Sequence, residues 1–291
     1  MRLEVVTGMG KNTFLPHLKK KFGLDDYRPG HHGRSPLLVY GGGNQMRKKL
    51  VMNHKGLAVI VWTGSDTLML QENPGFVEYL KENENRIFSL TFSHWCKTDL
   101  DHFGIKYQHR LVIPTDKTLY KYVPETKGEI YHYGSANKPW NYGTNLVKEI
   151  ERKWDAYQIT KNPEFIYTTY HAYSTSDLLG LYRDSILGVR LTEHDGIAGS
   201  VLEMGLMGRR SIYNDPQVPC AIPYLDNPYT KYNPGVKQKW CYQKGDLVQI
   251  VGDMIQEELN ERPLPDKLLA EEMEEFVYDD LAWLDTKYYI G

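Results

Sequence analysis

Short apolar runs alternate along this chain with longer stretches of helical periodicity, and turn residues separate the two. Residues 3–7 read as a first strand and 12–22 as a helix, with Pro16 near its start. Residues 36–40 form a second strand that ends at Gly41-Gly42-Gly43, and 45–51 a short helix. The unbroken apolar run 57–62 is what a parallel strand covered on both faces requires. A helix over 73–83, a strand over 86–91, a helix over 97–103 closed by Gly104, and a strand over 110–113 complete the series. Strands alternating with helices in this way predict a parallel sheet in an α/β fold.

The polar, turn-rich segment Pro124-Glu125-Thr126-Lys127-Gly128 predicts a linker. A second series follows it. Residues 129–133 form a strand, 134–143 a loop, and 145–154 a helix. Residues 165–169 form a strand and 175–183 a helix with a polar cap. Strands at 186–189 and 210–213 flank a glycine loop and a helix. Residues 214–242, rich in Pro, Asn and Tyr, read as irregular. A helix over 246–258 stops before Pro263 and Pro265, and 266–288 is an acidic helical tail. The division expected is 1–124, 125–262 and 263–291.

Composition narrows the class. Apolar and charged fractions are ordinary for a globular protein. No run of 18 apolar residues predicts a transmembrane span. The start reads as a strand, since a signal peptide needs a longer apolar core. Cys96, Cys220 and Cys241 lie far apart, suggest neither a disulfide framework nor a zinc site, and fit a reducing, cytoplasmic compartment. Charge is uneven. Residues 1–124 carry 18 basic and 11 acidic side chains, and residues 1–55 alone carry 11 basic and 3 acidic. Arg34, Arg47, Lys48 and Lys49 belong to that basic stretch, which suggests either an anionic partner or an ordinary solvated face.

The candidate chemistry centres on Leu191-Thr192-Glu193-His194-Asp195-Gly196-Ile197-Ala198-Gly199-Ser200-Val201-Leu202-Glu203, running on to Gly208. A strand feeds a glycine loop and then a helix start, the arrangement in which backbone N–H groups and a positive helix end receive a phosphate. One carboxylate lies in the loop and a second lies eight residues later on the helix. The bland alternatives are a helix cap for Asp195 and a solvated helix face for Glu203.

These residues resemble the carboxylate signature of the retaining GT-B glycosyltransferases with an E-x7-E motif. Asp195 stands for the first Glu, Glu203 for the second, Gly196 and Gly208 match, and Thr192 replaces a Ser. Residues 92–100, Gly104-Ile105 and 112–114 also resemble that family's scaffold, where His94 reads as structural. The resemblance implies two Rossmann-like domains with parallel sheets facing across a cleft, and a C-terminal helix crossing back to the first. It implies that Asp195 touches the donor sugar and Glu203 the nucleotide ribose. The amides of Gly196, Ile197, Ala198 and Gly199, with Gly134 and Lys138, would hold the diphosphate, with Lys127 a weaker rival to Lys138. Arg183 and Arg190 could point inward, and Arg209-Arg210 would lie at a helix end, where cations suit the dipole.

Gly64 and Asp66 follow the buried strand 57–62. Asp66 could bind a sugar hydroxyl or act as a base, or it could simply cap the next turn. The expected function is transfer of a sugar from a nucleoside diphosphate sugar, with a UDP-sugar preferred, to an acceptor hydroxyl. No metal and no further cofactor are implied. The basic stretch, with Tyr27, His31, His32 and Tyr40 nearby, favours a polyanionic acceptor. Bacteriophage enzymes that glycosylate hydroxymethylated pyrimidines in DNA are similar in plan, and host cytoplasm would then be the location. A glycan, or a lipid-linked sugar at an anionic membrane surface, competes as acceptor. A non-enzymatic nucleotide- or DNA-binding protein is the alternative of a different class.

Overall fold

The structure is a computed structural model that describes residues 3–8, 14–64, 66–110, 115–134, 142–153, 164–168, 173–192, 195–225, 244–261 and 265–277. Two parallel sheets organise it. The first is built from β1 (Val5–Gly8), α1 (Phe14–Phe22), β2 (Asp25–Asp26), β3 (Leu37–Tyr40), α2 (Gln45–Asn53), β4 (Ala58–Trp62), α3 (Pro74–Glu82), β5 (Ile87–Thr91), α4 (His94–Phe103) and β6 (Tyr107–His109), in strand order β2-β1-β3-β4-β5-β6. Every pairing in it is parallel. Every residue of β3 and β4 is buried, as the apolar runs predict for strands sandwiched between helix layers.

The second sheet uses β7 (Glu129–His132), α5 (Thr144–Arg152), β8 (Phe165–Tyr167), α6 (Thr175–Asp184), β9 (Ser185–Arg190), α7 (Gly199–Leu206), β10 (Arg210–Tyr213) and β11 (Ala221–Ile222), in order β11-β10-β9-β7-β8, again all parallel. α8 (Lys244–Glu261) packs against α5. α9 (Lys267–Phe276) packs on α7, and Lys117 Nζ donates to the carbonyl of Glu274 on it. Residues 278–291 of the expected tail lie outside the described residues.

Most predicted elements form where the apolar pattern places them. The differences lie at sheet edges. β2 and β11 are two-residue strands in segments without strand character, and β11 falls inside the stretch read as irregular. An edge strand, Tyr107–His109, pairs with Ser89–Thr91 just before the strand expected at 110–113, of which 111–113 lie outside the described residues. Gly104, in the left-handed region at φ 65°, ends α4 as expected. Ser174 and Asp177 form a capping box on α6.

His132, the last residue of β7, shows how the second sheet is tied to its first helix. It is fully buried. Its Nδ1 lies 2.9 Å from the carbonyl of Val189, so Nδ1–H donates; Nε2 then accepts from the Thr144 hydroxyl at 3.0 Å. Burial, against the Val189 hydrogen bond, lowers its pKa to about 4. The sign follows from linkage. The unfolded chain takes up a proton near pH 6.5, whereas the folded chain refuses it until about pH 4. Stability should therefore fall as pH drops through that window, by about 3 kcal/mol when complete. Denaturant titrations at pH 7 and 4.5 test this. His132→Gln should flatten the dependence, and an unchanged slope would assign it to other groups.

Candidate active site

The carboxyl ends of the two sheets meet. Thr63 and Gly64 follow β4, Ser93 follows β5, and the loop 195–198 follows β9. A Cβ on Gly196 would overlap the Thr63 carbonyl, and a Cβ on Gly64 would come within 2.8 Å of the Gly196 nitrogen. Ser93 Oγ donates to the Asp195 carbonyl at 2.9 Å, and Gln217 Nε2 lies 2.8 Å from His94 Nδ1. These contacts join the sheets where parallel α/β proteins place their ligands.

On the side of the first sheet, Asp66 ties loops together. Its Oδ1 accepts from the Thr63 amide at 3.0 Å and its Oδ2 from the Gly42 amide at 2.9 Å. Burial raises its pKa to about 6, with those backbone donors acting in the opposite direction. A Cβ on Gly43 would overlap the Asp66 backbone, so the Gly41-Gly42-Gly43 turn fits only without side chains. Arg47 Nη1 donates to the Gly41 carbonyl at 2.6 Å and feels the Asp66 charge. Asp66 is thus engaged as a loop tie.

The second sheet contributes the strand-loop-helix picked out in the sequence. Gly188 lets α7 approach β9, because a Cβ there would press on Met204 Sδ at 2.9 Å. α7 starts at Gly199 without a side-chain cap, and α5 likewise starts behind Gly143 without one. Gly143, at φ 67°, is pressed against Leu191, whose Cβ would be 2.5 Å from an added Cβ. Both helix starts therefore flank the end of β9. Glu203, half-buried on α7, accepts from the hydroxyls of Tyr182 and Tyr120; burial raises its pKa and those bonds lower it. Tyr120, Tyr131 and Tyr182 stack edge to face or tilted around it.

The Asp195 carboxylate does not stand alone. Its Oδ2 lies 2.6 Å from Arg190 Nε and accepts from Thr192 Oγ1 at 3.4 Å. Arg190 sits over Tyr133 at 4.3 Å and over Tyr142 at 5.1 Å. Burial pulls its pKa down, but Asp195 more than reverses this and the pKa is raised. The sequence marked Arg190 only as one of two arginines able to point inward. Its proximity to Asp195, and the two tyrosines beside it, depend on the meeting of β7, β9 and the start of α5.

The cations predicted to bind an acceptor are scattered. Arg47 lies at the glycine turn. Lys48, on α2, is only 3% exposed, and its amine has no hydrogen-bond partner among the described residues. Lys49 is exposed. Arg34 packs by its backbone against Gly56, and the Lys55 amide donates to the Gly33 carbonyl, so this stretch lies before β4 begins. At 3.3 Å per residue, the strand Ala58–Trp62 that separates it from Gly64 is itself about 13 Å long. Lys127 precedes β7 and pairs with Asp184 at 2.7 Å, on the amino side of its sheet, away from the crevice. Lys138 lies outside the described residues; Gly134, just after β7, is buried. Arg209 does not lie where the helix-end expectation puts it. It is fully buried and not at a solvated helix end. Its guanidinium donates to the carbonyls of Ser185, Val123, Met207, Glu125 and Arg183.

Two parallel sheets that meet at their carboxyl ends also describe known enzymes. The chain superposes on the pneumococcal O-GlcNAc transferase GtfA, crystallised with UDP and GlcNAc, with a TM-score of 0.54 at 13% identity, covering 97% of this chain and 60% of that one. The fold is GT-B. Trehalose-6-phosphate synthase from Burkholderia multivorans matches at TM-score 0.53 and 10% identity, over 97% of this chain and 80% of that one. TarM matches at TM-score 0.50 and 13% identity, over 87% and 54%. The chain thus spans little more than half the length of TarM and three fifths of that of GtfA. No protein family and no curated protein matches the sequence. At these identities the likeness is one of GT-B fold. Among the described residues, no helix is long and apolar enough to cross a membrane, and no acid, histidine and cysteine cluster could hold a metal ion.

Proposed function

We propose that this chain is a glycosyltransferase that moves a sugar from a nucleoside diphosphate sugar to an acceptor hydroxyl. The observation that carries this reading is the 185–206 strand-loop-helix. Its loop is pressed against Thr63 of the facing sheet, and an uncapped helix start, Arg190 and Glu203 lie along it. Amides at a helix start favour phosphate, and a carboxylate within reach of ribose hydroxyls supplies nucleoside recognition. Residues 125–262 bind the donor in this reading and 1–124 the acceptor, with 263–291 the third segment, whose described part carries α9. The complex of GtfA with UDP and GlcNAc supports a UDP-sugar donor. The E-x7-E spacing of Asp195 and Glu203 supports retention of configuration. Charge no longer favours DNA as acceptor, because Arg34 lies away from the crevice and Lys48 is buried; a glycan hydroxyl is the acceptor assigned.

A thermal-shift panel of UDP-, GDP-, ADP- and CMP-sugars tests the donor site. One donor class should raise the melting temperature, and Glu203→Ala should abolish that rise. No shift with any donor overturns the reading. With the donor known, transfer to glycans and to hydroxymethylated DNA discriminates the acceptors, and the anomeric configuration of the product tests retention.

A further inference from the structure

The ion pair at the end of β9 goes further than the motif that led to it. A buried ion pair adds little stability, because desolvation cancels most of the Coulomb gain. What it does achieve is to hold a permanent charge at one place. Arg190 is the last residue of β9, between Tyr133 at the end of β7 and Tyr142 just before α5. The uncapped starts of α5 and α7 lie on either side of it. Its side chain is 11% exposed and that of Asp195 20%. Nε is taken by Asp195, while the terminal nitrogens make no hydrogen bond among the described residues.

We propose that Arg190 is the cation that receives the phosphoryl oxygens of the donor, and that Asp195 is its positioning residue and not a sugar contact. This rests on the donor-site reading above. Two helix starts and one guanidinium converge on the same end of the second sheet. A diphosphate lying between the helices meets donors from three directions, one of them a guanidinium that cannot lose its proton. The tyrosine faces keep the guanidinium plane from swinging out of register, a task for which a flexible ammonium is poorly suited. Asp195 holds the guanidinium by Nε, so that among the described residues the forked end is open to a ligand. One methylene shorter than a glutamate, it keeps its carboxylate on Arg190 at 2.6 Å.

The test measures calorimetric affinities of UDP, GDP and ADP and of their parent nucleosides. Arg190→Met should weaken the preferred diphosphate about 30-fold or more, the range expected for charge-assisted hydrogen bonds, and leave its nucleoside within about twofold. Arg190→Lys should recover part of that loss, since the charge returns without the fork. Asp195→Asn should weaken the diphosphate and its sugar ester by the same factor. A sugar contact would instead weaken the ester alone, and that result overturns the role given to Asp195. If wild-type protein binds a diphosphate and Arg190→Met keeps the same ratio of diphosphate to nucleoside affinity, Arg190 is not the phosphate cation, while the donor-site reading stands. If wild-type protein binds none of the three, both fall. Should Arg190→Met fail to fold, Arg190→Lys and Asp195→Asn decide the question by the same ratio.

Discussion

Arg209→Ala should lower stability by about 3–5 kcal/mol, because it leaves several buried carbonyls without donors at about 1–3 kcal/mol each. The guanidinium is fully buried and donates to carbonyls from three stretches of chain: Val123 and Glu125 in the linker, Arg183 and Ser185 around the start of β9, and Met207 after α7. Burial lowers its pKa to about 10, with Tyr122 and Glu125 opposing, so it stays charged at neutral pH. Truncation leaves a cavity and several carbonyls without donors, each worth about 1–3 kcal/mol if water does not replace the lost bond. Arg209→Lys should recover little, because one ammonium cannot span acceptors arranged for a fork. Equilibrium unfolding in urea measures the loss, and hydrogen exchange should locate early opening at residues 121–128. A variant within about 1 kcal/mol of wild type would mean that solvated carbonyls replace the cage without penalty.

Gly196→Ala should be the most damaging single methyl in the crevice. The added carbon would overlap the Thr63 carbonyl, with Phe92 Cε2 3.3 Å away on another side. Neither obstacle on the Thr63 side is a flexible side-chain end, so the two sheet edges must part. Overpacking of this kind costs about 1–3 kcal/mol, occasionally more. The expected functional loss is larger than the stability loss, because the same displacement moves loop 195–198 and the start of α7 away from Thr63 and Gly64. Donor-induced thermal shift should disappear while the protein still folds. Gly75→Ala, at a position with nothing within 4 Å of the new carbon, is the control and should be near neutral. Retention of full donor binding in Gly196→Ala would show that the contact of Gly196 with Thr63 does not shape the site.

The regular interior of the fold is plain in the sequence because burial on both faces demands continuous apolar runs. Val59, Ile60, Val61 and Trp62 could hardly be anything but a central strand, and they form one. Edge strands were less legible: β8 was foreseen at 165–169, but β2 and β11 were not. Asp25 and Asp26 carry no β-propensity and are exposed; they count as a strand only through pairing with Val5 and Val6. Tyr107–His109 likewise owes its strand to Ser89, Leu90 and Thr91.

The same divide runs through the candidate site. Spacing alone placed Asp195 and Glu203 on one loop and one helix, and the glycine loop after β9 suggested room for a phosphate. Which carboxylate meets which partner was not written in spacing. Asp195 turns to Arg190 at the end of β9, and Glu203 turns to Tyr120 and Tyr182, which lie 83 and 21 residues earlier in the chain. Charge misled for a related reason: Arg34 and Arg47 are neighbours in sequence, but β3 separates them, so they sit at opposite ends of the sheet. Local pattern determines which residues must be buried and which turns need glycine, since those are properties of a few adjacent side chains. Pairing of charges, cages such as that around Arg209, and the facing of Gly64 by Gly196 belong to the tertiary structure, because they depend on how far apart the folded chain leaves groups that the sequence keeps distant.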